Sequence, residues 1–596
     1  MSTGSRRLSL PDLNDRPAYV ALLWTGDPGR RAEALAAEIE VRWPLLRRQS
    51  GERVTVFTDP HQLGPCLVSR TGVLLGWTRD PRQADESLQS PASAAERAAR
   101  LLGATWGRYV ACFRDARSAD IAILRDPSGA LPAYLLDLGD LLLCASAMPR
   151  WLVSAAGITP RPDRERLAQA LGRPSLATHC SLVEGVVTLP AGACYLRRPG
   201  SARQLQLWRP SDFAEEPVRA GEAKKALRAS VDVACRSLGS RFGKLALELS
   251  GGLDSSIVLG SLASESTHPP ITCVNFATAY REGNEREHAR AAADRWNVPL
   301  LELQAAEHEM ALDQIQRSGT AVEPMIYGMD FIQEQAMTQI VRQLGIDAIF
   351  TGQGGDAMFF QFPTIDVAID RARAEGLRAL ASATAFDAAR RTHTSIWSLW
   401  RRVLLSSFSS SGQSLDRFDT TLLGPVARAA AEAPQDDHPW LDGADRLPPG
   451  KRLQLETIHT CQIFYGPTHR AAVVPLIHPL LAQPVVETCL AIPSYELSRG
   501  TVDRALARET FTDRLPTSIL HRRGKGEAGN YYGRAVVDSI PFLRSFLLDG
   551  TLVAHGLLDG EALDTLLEED ALLWSASARL PIVYAAFEAW ARHWGL

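Results

Sequence analysis

The residues of this chain most able to do chemistry form the heptapeptide Ser250-Gly251-Gly252-Leu253-Asp254-Ser255-Ser256, between the apolar run Leu245 to Leu249 and the helical pattern Asp254 to Ala263. A strand that ends in serine and two glycines and then enters a helix leaves backbone N–H groups and hydroxyls around a helix N-terminus, where an anion is stabilised. The glycines let the chain approach a phosphate closely. No lysine follows as it does in G-x-x-x-x-G-K-[ST], so cleavage between β- and γ-phosphates is not implied and pyrophosphate is the better-matched anion. Asp254, placed beside phosphates, requires a Mg²⁺ ion between the like charges, which makes it a candidate metal ligand. The plain alternative is a serine-capped turn opening an ordinary helix. A seven-residue match at a strand-to-helix junction is too specific for that.

Three further stretches carry weaker signals. Thr351-Gly352-Gln353-Gly354-Gly355-Asp356 ends the apolar run Ile346 to Thr351 and, taken alone, could be a turn after a strand. Asn284-Glu285-Arg286-Glu287-His288 opens the helical stretch Glu285 to Trp296, with Asn284 as its expected cap and acids in the first turn. Arg522-Arg523-Gly524-Lys525-Gly526-Glu527 follows Leu515-Pro516 and alone reads as a basic, solvated loop.

Elements must exist to position these groups, and 596 residues exceed what one hydrophobic core supports, so at least two domains are expected. From Tyr19 to about Trp208, short apolar runs alternate with turn residues (YVALLWTGDP, RTGVLLGW, GRYVACF, ADIAILRDPSG, LGDLLLCAS), with a helix-like stretch from Ala94 to Leu102. The polar segment RPSDFAEEPVRAGE reads as a linker, dividing the chain into residues 1–215 and 216–596. Beyond it, five-residue apolar strands, including Ile271 to Ala277, are each followed by a helical pattern, the rhythm of a parallel α/β sheet. Residues 365–447 read as a helical elaboration broken by SSFSSSGQS and PQDDHPWLDG.

Composition excludes several classes. A net charge of −4 leaves no electrostatic footprint for nucleic acid. Nine cysteines without a C-x-x-C pair indicate neither a disulfide framework nor a zinc cluster, and buried free thiols are expected. The N-terminal MSTGSRRLSLPDLNDRP lacks a signal-peptide apolar stretch, and later apolar segments are short or interrupted by arginine, so the expectation is a soluble, cytoplasmic protein without membrane association.

The heptapeptide SGGLDSS resembles the loop of the asparagine synthetase group of ATP pyrophosphatases, and TGQGGD, NEREH and RRGKGE fall where those enzymes carry similar stretches. The resemblance implies ATP and Mg²⁺ as cofactors, with ATP held by Leu249, Ser250, Gly251, Gly252, Asp254, Ser255 and Ser256, and by Asn275, Thr351 and Gly352. It makes Asp254 and Asp356 the two Mg²⁺ ligands and brings Lys525 over the reacting centre. A lysine there is chemically apt, because amine attack on an activated carbonyl creates an oxyanion beside departing phosphates.

The first half is similar, through Trp106-Gly107-Arg108-Tyr109, Arg125-Asp126-Pro127-Ser128-Gly129 and Gly185 to Gly192, to the Ntn-type glutaminase domain of asparagine synthetases, an α+β sandwich. That domain opens its first strand with a nucleophilic cysteine, whereas here the strand begins near Tyr19 and the earliest cysteine is Cys66. Ser2 lies well before the strand and is a poor candidate nucleophile. Loss of the nucleophile is shared with β-lactam synthetases and lasso peptide cyclases, which use an amine on the substrate. The run Val474-Pro475-Leu476-Ile477-His478-Pro479-Leu480, then Arg499-Gly500-Thr501-Val502-Asp503-Arg504, looks most like the cyclases. That resemblance implies a precursor peptide as substrate, with a leader peptidase and a leader-recognition protein as partners. β-Lactam formation, ammonia-dependent asparagine synthesis and a non-catalytic nucleotide-binding scaffold remain open.

Overall fold

The computed structural model describes residues 16–596 except 26–28, 65, 116–117, 220, 266, 278–283, 305–314, 316–317, 327–330, 406–419, 434–437, 523–535, 569–571 and 573–579. Twelve strands among the described residues of the first half form two six-stranded antiparallel sheets: β1 (Tyr19–Trp24), β2 (Arg47–Gly51), β3 (Val54–Thr58), β4 (Leu67–Val68), β5 (Gly72–Thr78), β6 (Gly107–Arg114), β7 (Ile121–Arg125), β8 (Tyr134–Asp137), β9 (Leu141–Ala145), β10 (Val186–Thr188), β11 (Ala193–Arg198) and β12 (Ser201–Gln206). Their orders are β10-β8-β9-β1-β3-β2 and β12-β11-β7-β6-β5-β4.

Side-chain alternation explains why the runs look continuously apolar. Tyr19, Ala21 and Leu23 of β1 enter the core between the sheets with Val73, Leu75, Val110 and Ile123. Val20, Leu22 and Trp24 face outward onto the helix Gly29–Arg42, so β1 is buried on both faces. The outer face of the second sheet is covered by α1 (Ala94–Ala104), whose capping box pairs the Ser93 and Glu96 side chains with each other's backbone N–H. The result is an αββα sandwich, the architecture expected of an Ntn-type domain. Its first sheet also packs against the last helix of the chain, Leu580–Trp594, through Tyr584 and Trp590 in the core that holds Val20 and Leu22.

Two polar segments, the one that reads as a linker and one of the breaks, dock in part onto the rest of the chain. The linker at 209–222 contains a short helix, α2 (Pro210–Glu215), with Pro210 and Ser211 buried and Ser211 Oγ donating to the Asp442 carbonyl at 3.3 Å. The break at 434–443 carries Trp440, 1% exposed, whose Nε1 donates to the Ala191 carbonyl at 2.9 Å and whose ring meets Trp208 edge-on. Both were hidden in polar sequence because one or two large apolar groups suffice to dock a loop once a partner surface exists. The third break, SSFSSSGQS, lies outside the described residues.

The second half is built on a five-stranded, all-parallel sheet of β13 (Leu245–Glu248), β14 (Ile271–Ala277), β15 (Leu300–Gln304), β16 (Ala348–Phe350) and β17 (Leu476–Ile477), in the order β15-β14-β13-β16-β17. The chain leaves β13 for β14 on one side, while β16 pairs with β13 on the other, Leu247 opposite Phe350. The loops following β13 and β16 therefore emerge side by side at the carboxyl ends of adjacent strands that wind in opposite directions, where α/β sheets open a crevice. Those two loops are SGGLDSS and TGQGGD. Among the described residues, no helix is long and apolar enough to cross a membrane.

Candidate active site

β13 delivers Leu249 to a position pinned by two bonds from β14 and its neighbour, in which Leu249 N–H donates to Val274 and the Leu249 carbonyl accepts from Asn275 Nδ2 at 2.7 Å. Gly251 then turns with φ +81°, and the helix α3 (Leu253–Ala263) starts with Gly252 as its cap. Serines tie the loop to itself. Ser250 Oγ accepts from Gly252 N–H at 3.2 Å and lies 3.2 Å from Ser255 Oγ, while Ser256 Oγ donates to the Gly252 carbonyl at 2.7 Å. No side chain caps α3, so its first-turn N–H groups, which lack helical acceptors, face the loop's own concavity.

The glycines do different work from what flexibility alone would suggest. A Cβ on Gly251 would stand 2.7 Å from the Glu285 carbonyl and 2.9 Å from Ala289 N, so the first turn of α4 (Arg286–Arg295) packs directly on the loop. Asn284 is not the formal cap of α4, a place taken by Glu285, though Asn284 Oδ1 accepts from Arg286 N–H at 3.4 Å. Gly352 and Gly355 close the other side, where added Cβ atoms would lie 2.4 Å from Ser255 N and 2.3 Å from Asp254 Cγ. The two loops thus touch through glycine at the atoms that carry the chemistry, too closely for a side chain at either position. α5 (Gly355–Met358) begins there and carries Asp356.

Thr351 shows what the VPLIHPL run contributes. His478, following β17, receives the Thr351 hydroxyl on Nδ1 at 2.7 Å and donates from Nε2 to the Phe464 carbonyl at 3.1 Å. Burial pushes this imidazole down to about 3, so it stays neutral and holds the loop by hydrogen bonds alone.

Arg504, at the end of RGTVDR, is the functional residue that local sequence reasoning passed over. Its Nη1 donates to Asp254 Oδ2 at 2.7 Å and to Asp356 Oδ1 at 2.6 Å, so a single nitrogen bridges both expected metal carboxylates. Asp503 braces the same guanidinium through Nε at 2.8 Å and is itself bonded by Arg508 Nη2 at 2.8 Å. Burial works against the charge of Arg504, but Asp254, Asp356 and Asp503 together outweigh it and raise its pKa above the ordinary arginine value. The backbone of Arg504 is left-handed, φ 52° and ψ 38°, just before α6 (Ala505–Thr510), a conformation that persists only where surrounding contacts hold it.

A cleft of about 500 Å³ opens beside these groups, lined by Gly252, Leu253, Asp503, Arg504, Arg508 and Arg522. Arg522 donates to Glu285 at 2.5 Å and to the Gly251 carbonyl at 3.5 Å, tying the base of RRGKGE to the glycine loop. Lys525 lies outside the described residues. The remaining site candidates, Leu249, Ser250, Gly251, Gly252, Asp254, Ser255, Ser256, Asn275, Thr351, Gly352 and Asp356, gather around the ends of β13, β14 and β16. The donor set suits Mg²⁺, since two carboxylates converge on one cation beside the uncapped first turn of α3.

In the first half the resembling motifs support the fold. Arg125 donates to the carbonyls of Leu131, Leu189 and Gly129, and Asp126 accepts from the N–H groups of Tyr109 and Ser128. At the start of β1 stand Arg16, Pro17 and Ala18, with Arg16 paired to Asp59 at 2.6 Å, so among the described residues no cysteine opens that strand. Ser2 lies outside the described residues. All nine cysteines are free; Cys66 and Cys180 are half-buried and the other seven buried. One further group of possible metal ligands, His179, His438 and His459, has nitrogens within 4.8 Å of one another. His438 Nδ1 accepts the Trp440 amide at 3.1 Å, which places the proton of the neutral ring on Nε2 and removes it from a three-ligand set.

The chain matches the family described as asparagine synthase over residues 222–592, more than half its length. It belongs to the asparagine synthase family. Membership carries ATP-dependent amide-bond formation as the class of chemistry, and the matched span contains every element of the cleft. No curated protein sequence matches the chain. Among solved structures it is similar to "structure of the allosteric regulatory enzyme of purine biosynthesis", at 9% identity with a TM-score of 0.20, covering 57% of this chain and 85% of that one. A second similarity is to glutamine phosphoribosylpyrophosphate amidotransferase from B. subtilis complexed with ADP and GMP, at 8% identity and a TM-score of 0.19, covering 56% and 90%.

Proposed function

We propose that this asparagine synthase family ligase is a lasso peptide cyclase, which closes a macrolactam between a peptide's N-terminal amine and the side-chain carboxylate of an Asp or Glu in the same peptide. The observation that carries the adenylating half is the convergence of Asp254 and Asp356 on a single cation beside the glycine loop. The start of β1, where no cysteine stands among the described residues, supports an amine that comes with the substrate in place of glutamine-derived ammonia.

In this reading the first-turn N–H groups of α3 and the hydroxyls of Ser250, Ser255 and Ser256 hold the pyrophosphate portion of ATP. Asp254 and Asp356 hold Mg²⁺, which supplies charge neutralisation to the polyphosphate. A carboxylate oxygen of the peptide attacks the α-phosphorus and pyrophosphate leaves, giving an acyl-adenylate. The N-terminal amine then attacks the activated carbonyl, loses a proton and expels AMP, so that the peptide is lighter by one water. Lys525 stabilises the oxyanion of that second step. Much of the rate comes from holding a folded-back tail and ring together while the bond closes. The precursor peptide, a leader peptidase and a leader-recognition protein are the partners this activity needs.

The test is a leader-free peptide with an Asp or Glu several residues from its free N-terminus. With ATP and Mg²⁺ it should lose one water and yield AMP and pyrophosphate without added amine, and N-terminal acetylation should block closure. Conversion of free aspartate and ammonium to asparagine, with no reaction of the peptide, would transfer the assignment to an asparagine-forming enzyme with the same adenylating residues.

A further inference from the structure

We infer that Arg504 is the resident cation of the nucleotide-free site, holding Asp254 and Asp356 together and withholding them from metal until a polyphosphate arrives to accept its guanidinium. The inference rests on the adenylating reading of this site and adds to it a coupling between metal and nucleotide.

Two carboxylates brought within reach of one nitrogen repel each other unless a cation lies between them, and burial makes that repulsion expensive. Asp254 is 7% exposed and the Arg504 side chain 5%, so water screens little at that end of the pair, while the Asp356 side chain, 42% exposed, keeps contact with solvent. Nη1 sits at 2.7 and 2.6 Å from the two oxygens, the place from which both acids are bridged. A divalent ion entering alone must evict this guanidinium toward a cleft whose lining also carries Arg508 and Arg522. Eviction costs the guanidinium two of its three carboxylate partners and leaves it on Asp503 alone, beside Arg508 and Arg522. When polyphosphate enters the same cleft, the released guanidinium gains an anionic partner and the arginine wall becomes favourable. Metal and nucleotide then bind with positive coupling, and Arg504 is the element through which each favours the other.

The side chain is built to change partners without unfolding its surroundings. Asp503 and Arg508 form a second layer, in which Arg508 also donates to the Ile519 and Leu520 carbonyls at 2.9 Å. Asp503 stays paired with Arg508 when Nη1 leaves. The cost of release therefore falls on the two bonds to Asp254 and Asp356, which is what a switch between two anions requires.

Mn²⁺ binding, read by loss of the free-ion electron paramagnetic resonance signal, measures the coupling directly on the full chain, with and without α,β-methylene-ATP. In the native protein the analogue should tighten Mn²⁺ by at least about tenfold. Arg504→Met, checked for folding by thermal melting, should bind Mn²⁺ without nucleotide at least about tenfold more tightly than the native protein, and the analogue should then add less than about threefold. Adding Asp356→Asn to that variant should abolish the gain, which places the ion on the two carboxylates. Unchanged nucleotide-free affinity in Arg504→Met, coupling that survives it, or a gain that survives Asp356→Asn overturns the inference. Should Arg504→Met not fold, Arg504→Lys reads the balance from the other side, because it keeps a cation between the acids. It should retain most of the coupling, and losing it would equally overturn the assignment. Pyrophosphate exchange in a protein without coupling would leave the adenylating reading intact. Failure of the native protein to bind either Mn²⁺ or the analogue would remove that reading as well.

Discussion

The acid–arginine cluster at the ends of β13 and β16 is charged and keeps one member, Asp356, partly exposed, whereas the histidine cluster between the two halves is buried and neutral. Asp254, Asp356 and Arg504 share their charge through hydrogen bonds, and Arg504 also lines a cleft. His179, His438 and His459 meet ring against ring, with centroids 4.6 Å apart for His179 and His438 and 4.4 Å for His438 and His459. Burial is the largest cause that depresses His438 and His459 well below the ordinary histidine value, followed for His438 by His459 and His179, and for His459 by His179; Arg173 adds to both. Charge is retained where a partner can be exchanged for a ligand, and surrendered where the cluster only packs the two halves together.

The largest effect that sharpens this contrast should come from Asp254→Ala or Asp356→Ala. Each should lower ATP–pyrophosphate exchange by about a thousandfold or more while the thermal melting curve keeps its shape, since each removes a proposed metal ligand and no apolar core. Normal exchange in either variant would separate the charged cluster from catalysis. Lys525→Ala should follow, cutting turnover about a hundredfold with little change in ATP affinity. Equal losses in both would make Lys525 a ground-state phosphate contact.

Gly355→Ala tests whether contact between the loops sets the geometry. A Cβ there would stand 2.3 Å from Asp254 Cγ, so the acids must part, and exchange should fall about a hundredfold from a displacement of this size. Full activity would mean that this contact has slack.

The histidine cluster responds to pH in a direction fixed by its depressed values. Neutral His438 and His459 contribute their full stability above about pH 6.5, the unfolded value, and that contribution is lost as pH falls below it, because the unfolded chain takes up the protons first. Urea midpoints should therefore drop between about pH 6.5 and 5, and His459→Leu should flatten the drop. A pH profile identical to that of the native protein would show that the cluster carries no such linkage. The smallest effect is expected at the N-terminus, where Ser2→Ala should leave ATP-dependent chemistry unchanged and glutamine should not be hydrolysed. Glutamate release that depends on Ser2 would give the first half an activity of its own.

Much of the site was readable because its parts are contiguous. The heptapeptide after β13, the glycine-rich loop after β16 and the helix start at Arg286 each carry their geometry in neighbouring residues, through glycine, short polar side chains and apolar periodicity. The short apolar runs of the first half, and the strand-then-helix rhythm of the second half, were legible for the same reason. Segments 209–222 and 434–443 misled because polarity along the chain says nothing of a partner surface. Trp440 and Pro210 are buried only because Ala191, Trp208 and Asp442 are brought to them. The sequence by itself determined the two glycine-rich loops and the parallel sheet that aligns them, since backbone conformation follows local residue type. Only the tertiary structure decided that Arg504, 250 residues from Asp254 and 148 from Asp356, lies between the two acids. Which charges share a desolvated space depends on how distant segments pack, and no local pattern encodes that pairing.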